Sequence, residues 1–235
     1  MSGRAVIRRE LRAAADPSRA ALLQRFFKTG PGEYAEGDRF LGLTVPQVRA
    51  IAAKHQSLPL VDLEALLASP WHEERLLALI TLVRQYAHGT AAQRNAIYRL
   101  YRRNTGRINN WDLVDCSAGS IVGAHLAGRD RRVLEQLARS PLLWERRIAI
   151  VSTFFYIRHG ELRPTLRLAE LLLDDEHDLI HKAVGWMLRE VGKQDRAALQ
   201  RFLNAHAPRM PRTMLRYAVE RFPERLRQRY LRAGT

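Results

Sequence analysis

The chain has 235 residues, 46% of them apolar, which is enough for a sizeable core in one compact domain or one short repeat array. Its formal net charge of +15 points to a polyanionic partner, most simply nucleic acid. A single cysteine, Cys116, excludes an internal disulfide framework and any multi-cysteine metal site, and no run of about 18 apolar residues is present to span a bilayer.

Met1 to Arg12 is basic and lacks an apolar core of signal-peptide length, so a cytoplasmic, nucleoid-associated protein is expected. Thr29 to Asp38, with three glycines and a proline, is the one candidate flexible loop. Breaks then follow at Ser57 to Pro59, Ser69-Pro70, Gly89, Gly106, Gly128, Ser140-Pro141, Gly160, Gly192, Pro208 and Pro211. In the Ser-Pro pairs, serine reads as an N-cap and proline as the first helical residue. Between breaks the apolar period is helical, as in Leu76, Leu77, Ile80 and Val83 or in Ile148, Val151, Phe154 and Phe155. No segment sustains the alternation of a strand. The pattern predicts an all-α protein whose helices are roughly 10–20 residues long.

The helices repeat. Ser69-Pro70, Glu74-Arg75, Ala78 and His88-Gly89 recur 71 residues later as Ser140-Pro141, Glu145-Arg146, Ala149 and His159-Gly160. Half of that displacement also shows, since a shift of 35 places Arg147-Ile148-Ala149 over Lys182-Ala183-Val184. A period of about 35 residues holding two helices predicts a HEAT-like helical-repeat solenoid, an α-α superhelix with a basic concave groove. Residues 1–235 then form one repeat domain, and 105–195 form most of the groove.

Within that span Trp111 and Asp115 lie four residues apart and share a helical face, as do Lys182 and Trp186. An isolated carboxylate beside aromatic faces suits a cation. Each residue also has a plain structural reading: Trp111 and Trp186 as core, Asp115 as an ion pair with a neighbouring arginine, Arg147 paired with Glu145, Lys182 solvated. Asp112, one residue from Trp111, points elsewhere and reads as a capping or structural acid. Arginines cluster at Arg99 to Arg107, at Arg129 to Arg132, at Arg146-Arg147 and from Arg209 to Arg232. Only Lys28, Lys54, Lys182 and Lys193 are lysines. A genome rich in G and C explains that skew as readily as phosphate recognition, in which the guanidinium donates two hydrogen bonds at once. His177 and His181 have metal-ligand spacing but no third ligand. No phosphate-cradling glycine loop occurs, so neither a metal nor a nucleotide cofactor is expected.

Three runs resemble the AlkD-like DNA alkylation repair family, DNA glycosylases built from HEAT-like repeats. They are Asn110-Trp111-Asp112-Leu113-Val114-Asp115, Trp144-Glu145-Arg146-Arg147-Ile148-Ala149-Ile150, and Lys182-Ala183-Val184-Gly185-Trp186-Met187-Leu188-Arg189-Glu190. A weaker match is Phe40-Leu41-Gly42-Leu43 with Pro46 and Arg49, and together they extend over roughly residues 15 to 220. The resemblance implies excision of N3- and N7-alkylated purines from double-stranded DNA. It makes Asp115 the catalytic carboxylate, sets Trp111 and Trp186 about the lesion nucleotide, and puts Arg147 on the DNA backbone. Lys182, on the same predicted groove, and Arg146 and Arg107, from the arginine clusters, are expected as further DNA contacts. The family's N-terminal aromatic, often tyrosine, has Phe26 and Phe27 as its nearest candidates here, and neither carries a hydroxyl.

The chemistry fits those residues. Alkylation at N3 or N7 leaves the purine positively charged, so the base departs without a general acid. What remains is to stabilise an oxocarbenium-like sugar, which a fixed carboxylate does electrostatically. Each indole face contributes about 0.5–2 kcal/mol toward a cation in a water-poor site. No lysine replaces the carboxylate to form a Schiff base, so a lyase step is not expected. The lesion is expected at the groove surface with limited insertion. The rival reading is a non-catalytic binder of damaged or branched DNA. The default oligomeric state is a monomer.

Overall fold

The computed structural model describes residues 3–233, and its regular structure is helical. Among the described residues the isolated β-bridge, Arg39 to Trp71, belongs to no strand. The helices gather in two compact units, residues 1–121 and 122–235.

Unit 1 holds α1 (Gly3–Ala13), α2 (Pro17–Phe26), α3 (Val45–Lys54), α4 (Leu60–Leu67), α5 (His72–His88), α6 (Ala91–Arg103) and α7 (Trp111–Asp115). Their starts are written in local chemistry. Asp16 accepts the Arg19 amide with Pro17 opening α2, and Thr44 and Thr90 form capping boxes with Gln47 and Gln93 before α3 and α6. α5 is buried on every side over its first two turns, from His72 to Leu79. Four consecutive polar side chains there need partners. Glu73 accepts the amides of Leu41, Gly42 and Leu43 at 2.9, 2.8 and 3.2 Å. Glu74 takes Arg8 at 2.9 Å, and Arg75 pairs with Asp38 at 2.6 Å. Gly42 has φ +91, and a Cβ there would lie 2.8 Å from the Ala20 nitrogen and overlap the Asp16 carbonyl. Only glycine lets this strip of chain pass so close to the start of α2.

Unit 2 holds α8 (Arg132–Ala138), α9 (Leu143–Ser152), α10 (Phe154–Arg158), α11 (Arg163–Leu171), α12 (Asp178–Gln194), α13 (Arg196–His206), α14 (Arg212–Ala218) and α15 (Glu224–Ala233). The 71-residue repeat is visible as shared geometry. Ser69 Oγ accepts the Trp71 amide and Ser140 Oγ accepts the Leu142 amide, both at 3.1 Å. Arg75 Nη1 donates to the Ser69 carbonyl at 2.8 Å, and Arg146 Nη1 to the Ser140 carbonyl at 3.1 Å. The serines therefore close a turn ahead of each helix. α5 and α9 begin later, after Trp71 and Leu142, which corrects the expectation that serine is the N-cap and proline the first helical residue. The arginine six residues on takes the serine carbonyl, which in an N-cap would accept the first intrahelical hydrogen bond from the amide four residues on.

The repeat helices differ in continuity. α5 and α12 run unbroken for 17 residues each. Between α9 and α10 the chain breaks at Thr153, whose amide and Oγ1 both bond the Ile150 carbonyl, at 3.1 and 2.6 Å. α7 stops after five residues and gives way to a π-helical turn at Gly119–Gly123. These segments fall short of the predicted length because side chains compete for helical carbonyls. α12 starts 35 residues after α9, at the predicted half-period. Among the described residues no helix is long and apolar enough to cross a membrane.

Candidate functional site

α7 is too short to hold itself, and buried side chains fix both of its ends. At its start Asn110, fully buried, accepts the Trp111 amide at 2.8 Å. Asp112 Oδ1 accepts the Leu113 amide at 2.9 Å, and its Oδ2 faces His72 Nε2 at 2.8 Å. Asp112 is thus the capping, structural acid read from the sequence. At the far end Ser117 Oγ donates to the Leu113 carbonyl at 2.6 Å and meets the buried Tyr101 hydroxyl at 2.9 Å.

Trp111 lies on an aromatic floor. Its ring stacks on Phe27 at 5.2 Å, Phe27 stacks on Phe40 at 5.0 Å, and Phe40 stacks on His72 at 4.5 Å. Phe27 and Phe40 are buried, whereas Trp111 is half-buried, so one indole face is core and the rest reaches solvent. Asp115, also half-buried, follows one turn later. Of the two N-terminal aromatics singled out in the sequence, Phe27 belongs to the core. Phe26 is 63% exposed and meets Trp111 edge-on at 6.0 Å.

Below this surface is a buried charge network that composition could not reveal. Asp38, 5% exposed, receives Arg75, Asn109 at 3.3 Å, Asn110 at 3.5 Å and His72 Nδ1 at 3.4 Å. Burial works against charge on His72, but the charge and hydrogen bond of Asp112, with the hydrogen bond of Asp38, raise its pKa to about 8. Burial alone would also raise Asp38. The His72 hydrogen bond and the Arg75 charge outweigh it and hold that carboxyl below the usual range. Burial first, and then the charges of Asp112 and Asp115, push the Cys116 thiol up. Its Sγ donates to the Leu113 carbonyl at 3.3 Å, so it stays protonated and makes a poor nucleophile.

The second group of residues singled out in the sequence sits in unit 2. Trp186 is half-buried on α12, with its ring 5.8 Å from Phe154. Lys182, one turn earlier, pairs with Asp178 at 2.7 Å. Arg147 is 5% exposed and donates to the Leu179 carbonyl at 2.6 Å, joining α9 to the head of α12. Arg146 grips Asp175 at 2.6 and 3.4 Å and bonds the Pro141 carbonyl at 3.0 Å. Arg107 is exposed in the 3-10 turn Thr105–Arg107 of unit 1. His177 Nδ1 accepts the Leu179 amide at 3.1 Å and His181 Nε2 bonds the Asp175 carbonyl, so both imidazoles shape the head of α12. Among the described residues no three His, Cys, Asp or Glu side chains gather as a metal would require. Sequence reading missed His72 and Asp38. The signal for them was the polar run His72-Glu73-Glu74-Arg75 at the head of a helix, directly before the apolar run Leu76 to Ile80.

The model of the DNA alkylation repair enzyme family matches residues 7–222. The chain belongs to that family. Membership supports a role in the repair of alkylated DNA and makes DNA the partner that the net charge of +15 called for. No curated protein matches the chain. Among solved structures, a predicted DNA alkylation repair enzyme from Enterococcus faecalis is similar in fold, with a TM-score of 0.68 over 89% of this chain and 97% of that chain, at 16% identity. The all-helical repeat architecture is thus the family's own.

Proposed function

We propose that the protein is a monofunctional DNA glycosylase that excises N3- and N7-alkylated purines, such as 3-methyladenine and 7-methylguanine, from duplex DNA. One observation carries this reading: Trp111 and Asp115 both reach solvent on a short helix whose two ends are fixed by buried hydrogen bonds. A carboxylate held in place, with an indole beside it, supplies negative charge where a sugar cation forms. The C1′–N bond breaks and its electron pair leaves with the base, which departs neutral. Asp115 stabilises the oxocarbenium ion and takes the proton of the water that adds to C1′. The family resemblance adds Trp186 as the second aromatic. Arg107 and Lys182 are the accessible cations proposed to grip phosphate. Arg146 and Arg147 are proposed to support DNA binding from within, through the helix heads they hold.

The test is release of free base from duplex DNA carrying one 7-methylguanine, comparing wild type with Asp115→Asn. That substitution keeps the shape and removes the charge. Release that falls by about 100-fold or more with DNA binding intact supports the carboxylate's role. Tight binding with no release by wild type would move the assignment to a non-catalytic binder of damaged DNA.

A further inference from the structure

His72 opens α5 with its side chain 2% exposed. Both ring nitrogens face carboxylates, Nε2 toward Asp112 at 2.8 Å and Nδ1 toward Asp38 at 3.4 Å. Ionised carboxylates only accept hydrogen bonds, so satisfying both contacts requires a proton on each nitrogen. The charged groups around the ring are Asp112 from α7, Asp38 from the chain before α3, and Arg75 from α5 itself. Phe27, the residue that follows α2, faces it with its ring at 5.1 Å, and Phe40 covers it at 4.5 Å, both suited to a cation. Two carboxylates and two cations make a neutral quartet, buried except at the half-buried Asp112. Losing the imidazole proton leaves that quartet with an unbalanced negative charge and removes a donor from one carboxylate. Asp112 is the residue after Trp111, and Phe27 touches both His72 and Trp111. Asn110, which caps Trp111, is bonded to the same Asp38.

We propose that His72, as an imidazolium, is a positioning residue for the Trp111–Asp115 helix, tying Asp112 to Asp38 so that the proton on His72 decides whether α7 is held in its working place. The effect on catalysis rests on the glycosylase reading, whereas the tie itself does not. The sign follows from the direction of the shift. The imidazolium's contribution to stability is complete below 6.5 and is lost as pH rises through about 8. Base excision then holds through neutral pH and declines as pH rises through about 8.

Two measurements test this. The first is NMR of the protein labelled with 15N-histidine. The His72 ring is expected to titrate near 8 in wild type and at a clearly lower pH in Asp112→Asn. A wild-type midpoint below 6.5, or one indifferent to Asp112→Asn, overturns the proposal. The second is single-turnover base release against pH. His72→Gln is expected to slow release about 10- to 100-fold with duplex affinity unchanged and to abolish the alkaline decline, because a displacement of the reacting group near 1 Å costs about that much. The double variant with Asp112→Asn should be no slower than the slower single one, since both act through one contact. Additive losses, or an alkaline limb that survives in His72→Gln, count against it. Should wild type release no base at any pH, the glycosylase reading fails, while the NMR midpoint still decides whether His72 holds α7.

Discussion

An arginine in a basic protein serves either a phosphate or its own fold, and burial decides which. Arg146 and Arg147 are adjacent and chemically identical, yet the guanidinium of one grips Asp175 while the other reaches the Leu179 carbonyl from a site 5% exposed. Arg147→Ala is expected to cost about 1–3 kcal/mol, because a carbonyl loses a charged donor and a cavity opens, as thermal unfolding without DNA would show. Arg107→Ala, on an exposed turn, is expected to leave stability unchanged and to weaken binding to any duplex sequence about equally. An affinity loss confined to one sequence would contradict a phosphate contact. Glu73 is the carboxylate counterpart: 1% exposed, it takes three backbone amides from residues 41–43. Glu73→Gln is expected to cost about 2–3 kcal/mol in denaturant unfolding, since charged acceptors of amide hydrogen bonds are worth about that much.

At the scale of elements, the repeat helices are placed by small residues as much as by apolar stripes. A Cβ on Gly185 of α12 would lie 2.5 Å from both the Met214 carbonyl oxygen and the Tyr217 Cβ on α14. Gly123 stands in the same relation to the next repeat, where a Cβ would overlap the Ser152 carbonyl. Gly185→Ala is therefore expected to push α12 and α14 apart and to lower stability by about 1–3 kcal/mol, measured as a fall in the midpoint of thermal unfolding. An unchanged midpoint would mean that α14 moves freely. The helical period showed where these elements lie. It did not show where they break, because Thr153 and Ser117 hydrogen-bond to helical carbonyls that periodicity treats as uniform.

At the scale of the molecule, charge governs the attraction to DNA. With a net charge of +15 and arginines such as Arg99, Arg107, Arg129 and Arg132 exposed, binding is expected to weaken by orders of magnitude on modest addition of salt. A slope of log affinity against log salt near zero would show that phosphate contacts do not drive association. Folding should respond far less to the same salt, because the ionic contacts that matter to it, such as Arg75 with Asp38 and Arg8 with Glu74, have buried acids and short range.

Several things were decided by the sequence alone. The apolar period made the chain helical, the 71-residue recurrence made it a repeat, and the Trp111–Asp115 spacing put an indole and a carboxylate one turn apart. Each depends on residues close in the chain or on a displacement that can be read directly. Three things depended on the tertiary structure: which cations are buried, which of Phe26 and Phe27 faces solvent, and what holds α7. In the last case the partners are Asp38 and His72, 74 and 40 residues from Asp112. Their pairing is set by how α5, α7 and the chain before α3 pack, and local pattern carries no record of it. Burial then converts that meeting from a weak surface contact into a charge network that must balance.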